Sequence, residues 1–109
     1  MTALISVANL AQLETILAAD PQRIVASMFT TSWCGHCHEM MPFYEKLAST
    51  HPRVACLLID CGQQVEIKRK YNMMTYPTFL FWKNSEIIST IVGDSKEDRE
   101  TITKMFTAQ

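Results

Sequence analysis

The sequence predicts an α/β fold with a central mixed β-sheet flanked by helices on both faces. Three observations carry this. Apolar, β-branched runs at 24–29 and 54–59 read as fully buried strands, the pattern of a sheet covered on both sides. Stretches with helical spacing alternate with them, from Leu10 to Ala19, up to about Thr50, and near Gln64 to Lys70. Thr78 to Trp82 and Glu86 to Val92 then follow each other closely enough for an antiparallel hairpin. The expected order is β-α-β-α-β-α-β-β-α, a mixed sheet between helical layers.

Each element has its own signal. Leu4-Ile5-Ser6-Val7 reads as a short first strand. Asn9 is placed to cap a helix whose Leu10, Leu13, Ile16 and Leu17 share one face. Asp20-Pro21 ends that helix. The helix running to Thr50 contains Pro42, which removes a donor and should kink it, and His51-Pro52 terminates it. Lys83-Asn84-Ser85 turns the hairpin. Gly93 marks a bulge or bend. Ser95, with Asp98 three residues on, caps a last helix to about Phe106.

Composition narrows the function. The chain has 109 residues, 48% hydrophobic and 19% charged, which fits one globular domain spanning 1–109 and excludes a disordered chain. A net charge of −1 argues against nucleic acid or an anionic membrane as the main partner. No signal peptide and no transmembrane run are read from the sequence. Four cysteines in that setting suggest a reducing, cytoplasmic location, where they serve catalysis or metal binding.

The chemistry concentrates in Trp33-Cys34-Gly35-His36-Cys37, between a strand and a helix. A strand–loop–helix arrangement sets Cys34 at a helix N-terminus, where unpaired N–H groups and the dipole favour the thiolate, the reactive form of cysteine. Cys37 follows one turn later. Three residues of helix rise about 4.5 Å, compatible with a disulfide, whose Cα atoms stand roughly 4.4–6.8 Å apart. Zinc is the competing reading, because Cys34, Cys37, Cys56 and Cys61 imitate a four-cysteine site. Strand alternation opposes it by sending Cys56 and Cys61 to opposite faces, and no metal ligands are assigned. Cys56 reads as a small core residue. Cys61 reads as a loop or strand-end residue, with a regulatory thiol as the alternative. His38 reads as exposed, His51 as a helix-end cation, and Phe79, Phe81 and Trp82 as sheet packing.

Trp-Cys-Gly-x-Cys after a buried strand, Pro42 beyond the second cysteine, Tyr76-Pro77-Thr78, and Val92-Gly93 before the last helix together resemble the thioredoxin family over nearly the whole chain. The step from Asp60 to Pro77 is more similar to eukaryotic members. The resemblance implies a thioredoxin fold and a thiol–disulfide oxidoreductase that reduces protein disulfides. It implies Cys34 as nucleophile, Cys37 as resolving cysteine, and Trp33 as a lid, with Gly35 and His36 modulating the pair. It implies substrate contacts at Thr75, Tyr76, Pro77 and Gly93, with Tyr76-Pro77 cis. It implies no bound cofactor, reducing equivalents from NADPH through a thioredoxin reductase, disulfide-containing protein substrates, and a monomer. Gly35-His36 resembles protein disulfide isomerase, so a disulfide oxidant or isomerase is the alternative, and a non-catalytic adaptor using the Tyr76-Pro77 groove is another. An imidazolium beside Cys34 would stabilise the reduced form and make the couple more oxidising than a Gly-Pro version. Two family positions depart: Met28 stands where a buried acid is expected, and Cys56 where a buried lysine is expected.

Overall fold

The computed structural model describes residues 3–108; residues 1, 2 and 109 of the expected domain lie outside them. The elements are β1 (Leu4–Ser6), α1 (Leu10–Ala19), β2 (Val25–Thr30), α2 (Gly35–Thr50), β3 (Ala55–Asp60), α3 (Val65–Lys70), β4 (Thr78–Lys83), β5 (Glu86–Val92) and α4 (Lys96–Thr107). The expected order holds throughout. Strand ends move by a residue: β2 begins at Val25 instead of Ile24 and continues to Thr30, because Thr30 still pairs with Asp60. Ladder pairing, not the last apolar side chain, decides where a strand stops.

The sheet runs β1-β3-β2-β4-β5. β1 and β2 both lie parallel to β3, whereas β4 pairs antiparallel with β2 and with β5. β2 is therefore central, which explains its continuous apolar character. On one face Met28, Cys56, Phe79 and Phe81 pack with Met40 and Tyr44 of α2 and Ile102 and Phe106 of α4. On the other, Val25, Phe29, Leu57 and Leu80 pack with Leu13 and Leu17 of α1 and Ile67 of α3. The same alternation separates Cys56 from Cys61, which join different cores as expected.

Local signals set the element ends. The Asn9 side chain accepts the Gln12 N–H at 2.8 Å. Ser95 and Asp98 form a reciprocal capping box at the start of α4. The hairpin turns on Asn84 and Ser85, both at positive φ (53° and 63°), as a two-residue turn compatible with sheet twist requires. α2 contains Pro42 and runs on to Thr50. The register shift falls between Phe81 and Trp82, where Phe81 pairs with Ser89 and Trp82 with Ile87, so the irregularity lies inside β5 and Gly93 is a bend beyond its end.

One polar group sits in the middle of this core. Ser27 is fully buried on β2; its hydroxyl donates to the Leu80 carbonyl at 2.9 Å and accepts the Trp82 Nε1–H at 3.0 Å. Ser27→Ala removes the acceptor and leaves the indole N–H unpaired in a closed interior. The expected loss is about 1–3 kcal/mol of unfolding free energy, measured by urea denaturation. Adding Trp82→Phe, which removes the orphaned donor, should cost less than the two single losses summed.

Candidate active site

Cys34 ends the loop after β2 and caps α2. Its backbone is extended (φ −91°, ψ 107°), and its Sγ accepts the Cys37 N–H at 3.2 Å. A sulfur at this position meets the unpaired N–H groups of the first turn, which favour a negative charge. Cys34 is half-buried, whereas Cys37 is only 2% exposed and belongs to the core between the sheet and α2. Both thiols are free. The pair is thus asymmetric: one sulfur reaches solvent and the other waits behind it.

Burial pushes the Cys37 thiol up to about 11; the Cys34 side chain adds to the rise, and hydrogen bonding to the Thr30 side chain and to the Thr31 backbone opposes it. No carboxylate contributes. The position expected to carry the acid holds Met28, fully buried on the same face of β2 as Cys37's surroundings. Burial likewise raises Cys56 to about 12, which suits an inert core thiol. Cys61 follows β3 directly and is 3% exposed; burial raises it too, while the Tyr76 hydroxyl beside it opposes the rise. A buried, raised thiol is a poor regulatory target, so packing accounts for Cys61.

The loop before β4 carries the expected substrate-contact residues, and Tyr76 in it lies near enough to Cys37 to feel its charge. Tyr76-Pro77 is cis, as expected. Thr75 is exposed at the rim, and its carbonyl accepts the Thr78 hydroxyl at 2.6 Å. The Tyr76 hydroxyl donates to the Met73 carbonyl at 3.3 Å. Burial, followed by its hydrogen bond to Cys61, raises Tyr76 far above the usual phenol range. The Gly93 N–H donates to the Pro77 carbonyl at 3.1 Å, so two of the expected substrate-contact positions are joined directly. Gly93 lies at φ +118°, and a Cβ there would meet Asp98 Oδ2 at 2.7 Å; both facts demand glycine.

Trp33 is 75% exposed, but its ring does not hang free. A Cβ on Gly62 would meet the indole at 3.2 Å, so the absence of a side chain at 62 lets the ring lie against the turn after β3. Gly35 shows no such steric demand, since a Cβ there meets nothing within 4 Å. His38 is exposed, as expected. His51 caps α2, with Nδ1 3.0 Å from the Leu47 carbonyl.

Sequence reasoning missed three neighbours. Thr30, whose hydroxyl donates to the Thr31 carbonyl at 3.4 Å, sits close enough to oppose the rise at Cys37. Asp94 places Oδ2 2.7 Å from His36 Nδ1, across 58 positions of chain. Glu39 joins that pair, so that His36, Glu39 and Asp94 each present a ligand-type atom within 4.8 Å of the others. Only Glu39, three residues after His36 on α2, was open to helical spacing. Among the described residues the four cysteines do not gather into a metal-type cluster.

The model of the thioredoxin family matches residues 5–107. Thioredoxin-1 of Caenorhabditis elegans is 29% identical over 97 residues, covering 88% of this chain and 84% of the relative. An H-type thioredoxin of Oryza sativa subsp. indica is 35% identical over 88 residues, covering 80% and 72%. The crystal structure of Schistosoma mansoni thioredoxin superposes with a TM-score of 0.86 at 28% identity, covering 96% of this chain and 94% of that one. With the paired thiols at the mouth of α2, these matches establish that the chain belongs to the thioredoxin family and is a protein-disulfide oxidoreductase working through Cys34 and Cys37.

Proposed function

We propose that the protein acts in the reducing direction, with Cys34 as the attacking thiolate and Cys37 as the resolving thiol. The asymmetry of the pair carries this reading: Cys34 reaches solvent at a helix N-terminus, and Cys37 is buried behind it with its N–H on the Cys34 sulfur. Cys34 attacks one sulfur of a substrate disulfide; that bond breaks, a mixed disulfide forms, and the first substrate sulfur leaves. Cys37 then attacks Cys34 Sγ, the second substrate sulfur leaves, and the Cys34–Cys37 disulfide remains. Two electrons pass to the substrate, and its two thiols take up two protons.

Trp33, Thr75, cis-Pro77 and Gly93 form the wall against which an extended substrate strand lies, and the exposed Trp33 and Met74 (75% and 80%) supply its apolar surface. Gly35 leaves the approach to Cys34 open, since no atom would crowd a side chain there. No bound cofactor takes part; NADPH supplies electrons through a thioredoxin reductase, and the protein works as a monomer. Free, buried Cys56 and Cys61 favour a reducing compartment such as the cytoplasm. Among the described residues no helix is long and apolar enough to cross a membrane.

The test is NADPH-coupled reduction of insulin with a thioredoxin reductase. The protein is expected to turn over, and Cys34→Ser is expected to reduce the rate to that of the blank. No turnover with any reductase, together with rapid oxidation of a reduced peptide by the disulfide form, would reverse the assigned direction.

A further inference from the structure

An imidazole beside a reactive thiolate strengthens it only if its positive charge is not already cancelled. His36 stands at the second position of α2 with its side chain 70% exposed, and its Nδ1 meets Asp94 Oδ2 at 2.7 Å. Glu39, one turn along the same helix, brings a second carboxylate into the group. With the ring protonated, these three side chains sum to one negative charge. The cation expected from a Gly-His dipeptide is therefore not presented alone to Cys34.

Asp94 is held where it is by backbone on both sides. Before it, Gly93 bends at φ +118° and donates to the Pro77 carbonyl. After it, Ser95 caps α4 and closes the capping box with Asp98. The Arg99 Nε–H of α4 donates to the Asp94 backbone carbonyl at 3.5 Å, while the Arg99 guanidinium lies over Phe43 of α2, 5.6 Å from the ring centre. The carboxylates around His36 are thus Glu39 from its own helix and Asp94 from the β5–α4 loop, with Arg99 behind that loop.

We infer that Asp94 is a positioning residue for thiol–disulfide exchange: by pairing with His36 it draws the ring toward the β5–α4 loop, cancels the charge the ring would offer the Cys34 thiolate, and so restrains the reactivity of Cys34. The inference rests on Cys34 being the attacking thiol. It also gives the Gly-His dipeptide a meaning here different from that of the unpaired dipeptide, because a residue 58 positions away sets its charge.

The experiment is alkylation of the reduced protein by limiting iodoacetamide at pH 5.5 in EDTA, with the label located by peptide mass mapping. Asparagine carries no charge, so the variant lacks the carboxylate that meets His36. Asp94→Asn, which keeps the shape and a hydrogen-bonding oxygen, is expected to label Cys34 about threefold faster, the size of a solvent-exposed charge pair. Added salt should shrink the difference. Asp94→Glu should restore the parent rate. In a His36→Ala background, Asp94→Asn should change the rate by less than half as much on a logarithmic scale, because the partner it acts through is gone. An unchanged or slower rate in Asp94→Asn, or an equal effect without His36, would overturn the role assigned to Asp94. Label on Cys37 in place of Cys34 would overturn that role and the nucleophile assignment together.

Discussion

Cys37→Ser is expected to stop the cycle after its first chemical step, lowering disulfide turnover by roughly 10³-fold or more, since a serine hydroxyl cannot replace the second thiol. The first attack survives because Cys34 reaches solvent on its own. The second fails, and substrate proteins remain attached to Cys34 as mixed disulfides, visible as higher-mass bands that vanish on adding dithiothreitol. Rapid release of substrate from the variant would mean that another thiol resolves the complex. Cys56 lies within β3 and Cys61 just after it, whereas Cys37 shares the first turn of α2 with Cys34.

The same geometry gives the resolving step a pH dependence. Burial raises Cys37 to about 11, so near neutral pH only a small minority of molecules carries its thiolate. In the mixed disulfide the part of the rise due to Cys34 disappears, but burial, the larger cause, remains. The rate of resolution should therefore climb with pH through 7 and 8, by up to about tenfold per unit. The check is stopped-flow release of 5-thio-2-nitrobenzoate from its Cys34 mixed disulfide, in a His36→Ala, His38→Ala background that removes the neighbouring imidazoles. A plateau already reached below pH 7, or a step in the carboxylate range, would show a base beside Cys37 that the structure does not contain.

Met28→Asp has the largest expected effect on stability. Met28 is fully buried on β2, opposite Leu58, and Cys56 lies on the same face of β3 opposite Ala26. An aspartate there has no cation to meet. The expected loss is about 3–5 kcal/mol at pH 7, the cost of an unpaired buried charge; against a typical total of about 5–15 kcal/mol this is a large share. The sign with pH follows from desolvation, which raises the folded-state pKa of the new carboxyl above its unfolded value of about 3.9. The ionisation part of the penalty is absent below pH 3.9, grows as pH rises toward the folded value, and is complete above it. Cys56→Lys added to Met28→Asp should recover part of the loss by supplying the partner. Urea unfolding at pH 4 and pH 7 measures all of this, and a loss below about 1 kcal/mol at pH 7 would mean the site admits water. Functionally, Met28→Asp should add a carboxylate step to the resolution profile, because the new acid lies in the same core as Cys37.

These expectations draw on two kinds of information. Elements defined by neighbours in the chain were open to direct reading: the Asn9 and Ser95 caps, the hairpin turn read at Lys83-Asn84-Ser85, of which Lys83 ends β4, the buried strands β2 and β3, and the position of Cys34 at the start of α2. So was the separation of Cys56 from Cys61, since strand alternation is a local rule. In each case the governing interactions span a few residues, or follow a fixed period, and side-chain type is enough to specify them.

The sequence by itself therefore determined the order of elements, the dithiol and its helix-capping placement, and the missing acid at position 28. The tertiary structure alone decided which groups stand around the sulfurs. Thr30 reaches Cys37 because β2 ends beside the first turn of α2. Trp33 lies against Gly62 because β3 runs parallel to β2 and ends at the same edge. Asp94 meets His36 because the Gly93 bend and the cap of α4 bring the end of β5 to the mouth of α2. None of these contacts has a local signature. The contacts of Trp33 and Asp94 arise where segments far apart in the chain are brought together by sheet pairing and burial, which depend on the whole fold.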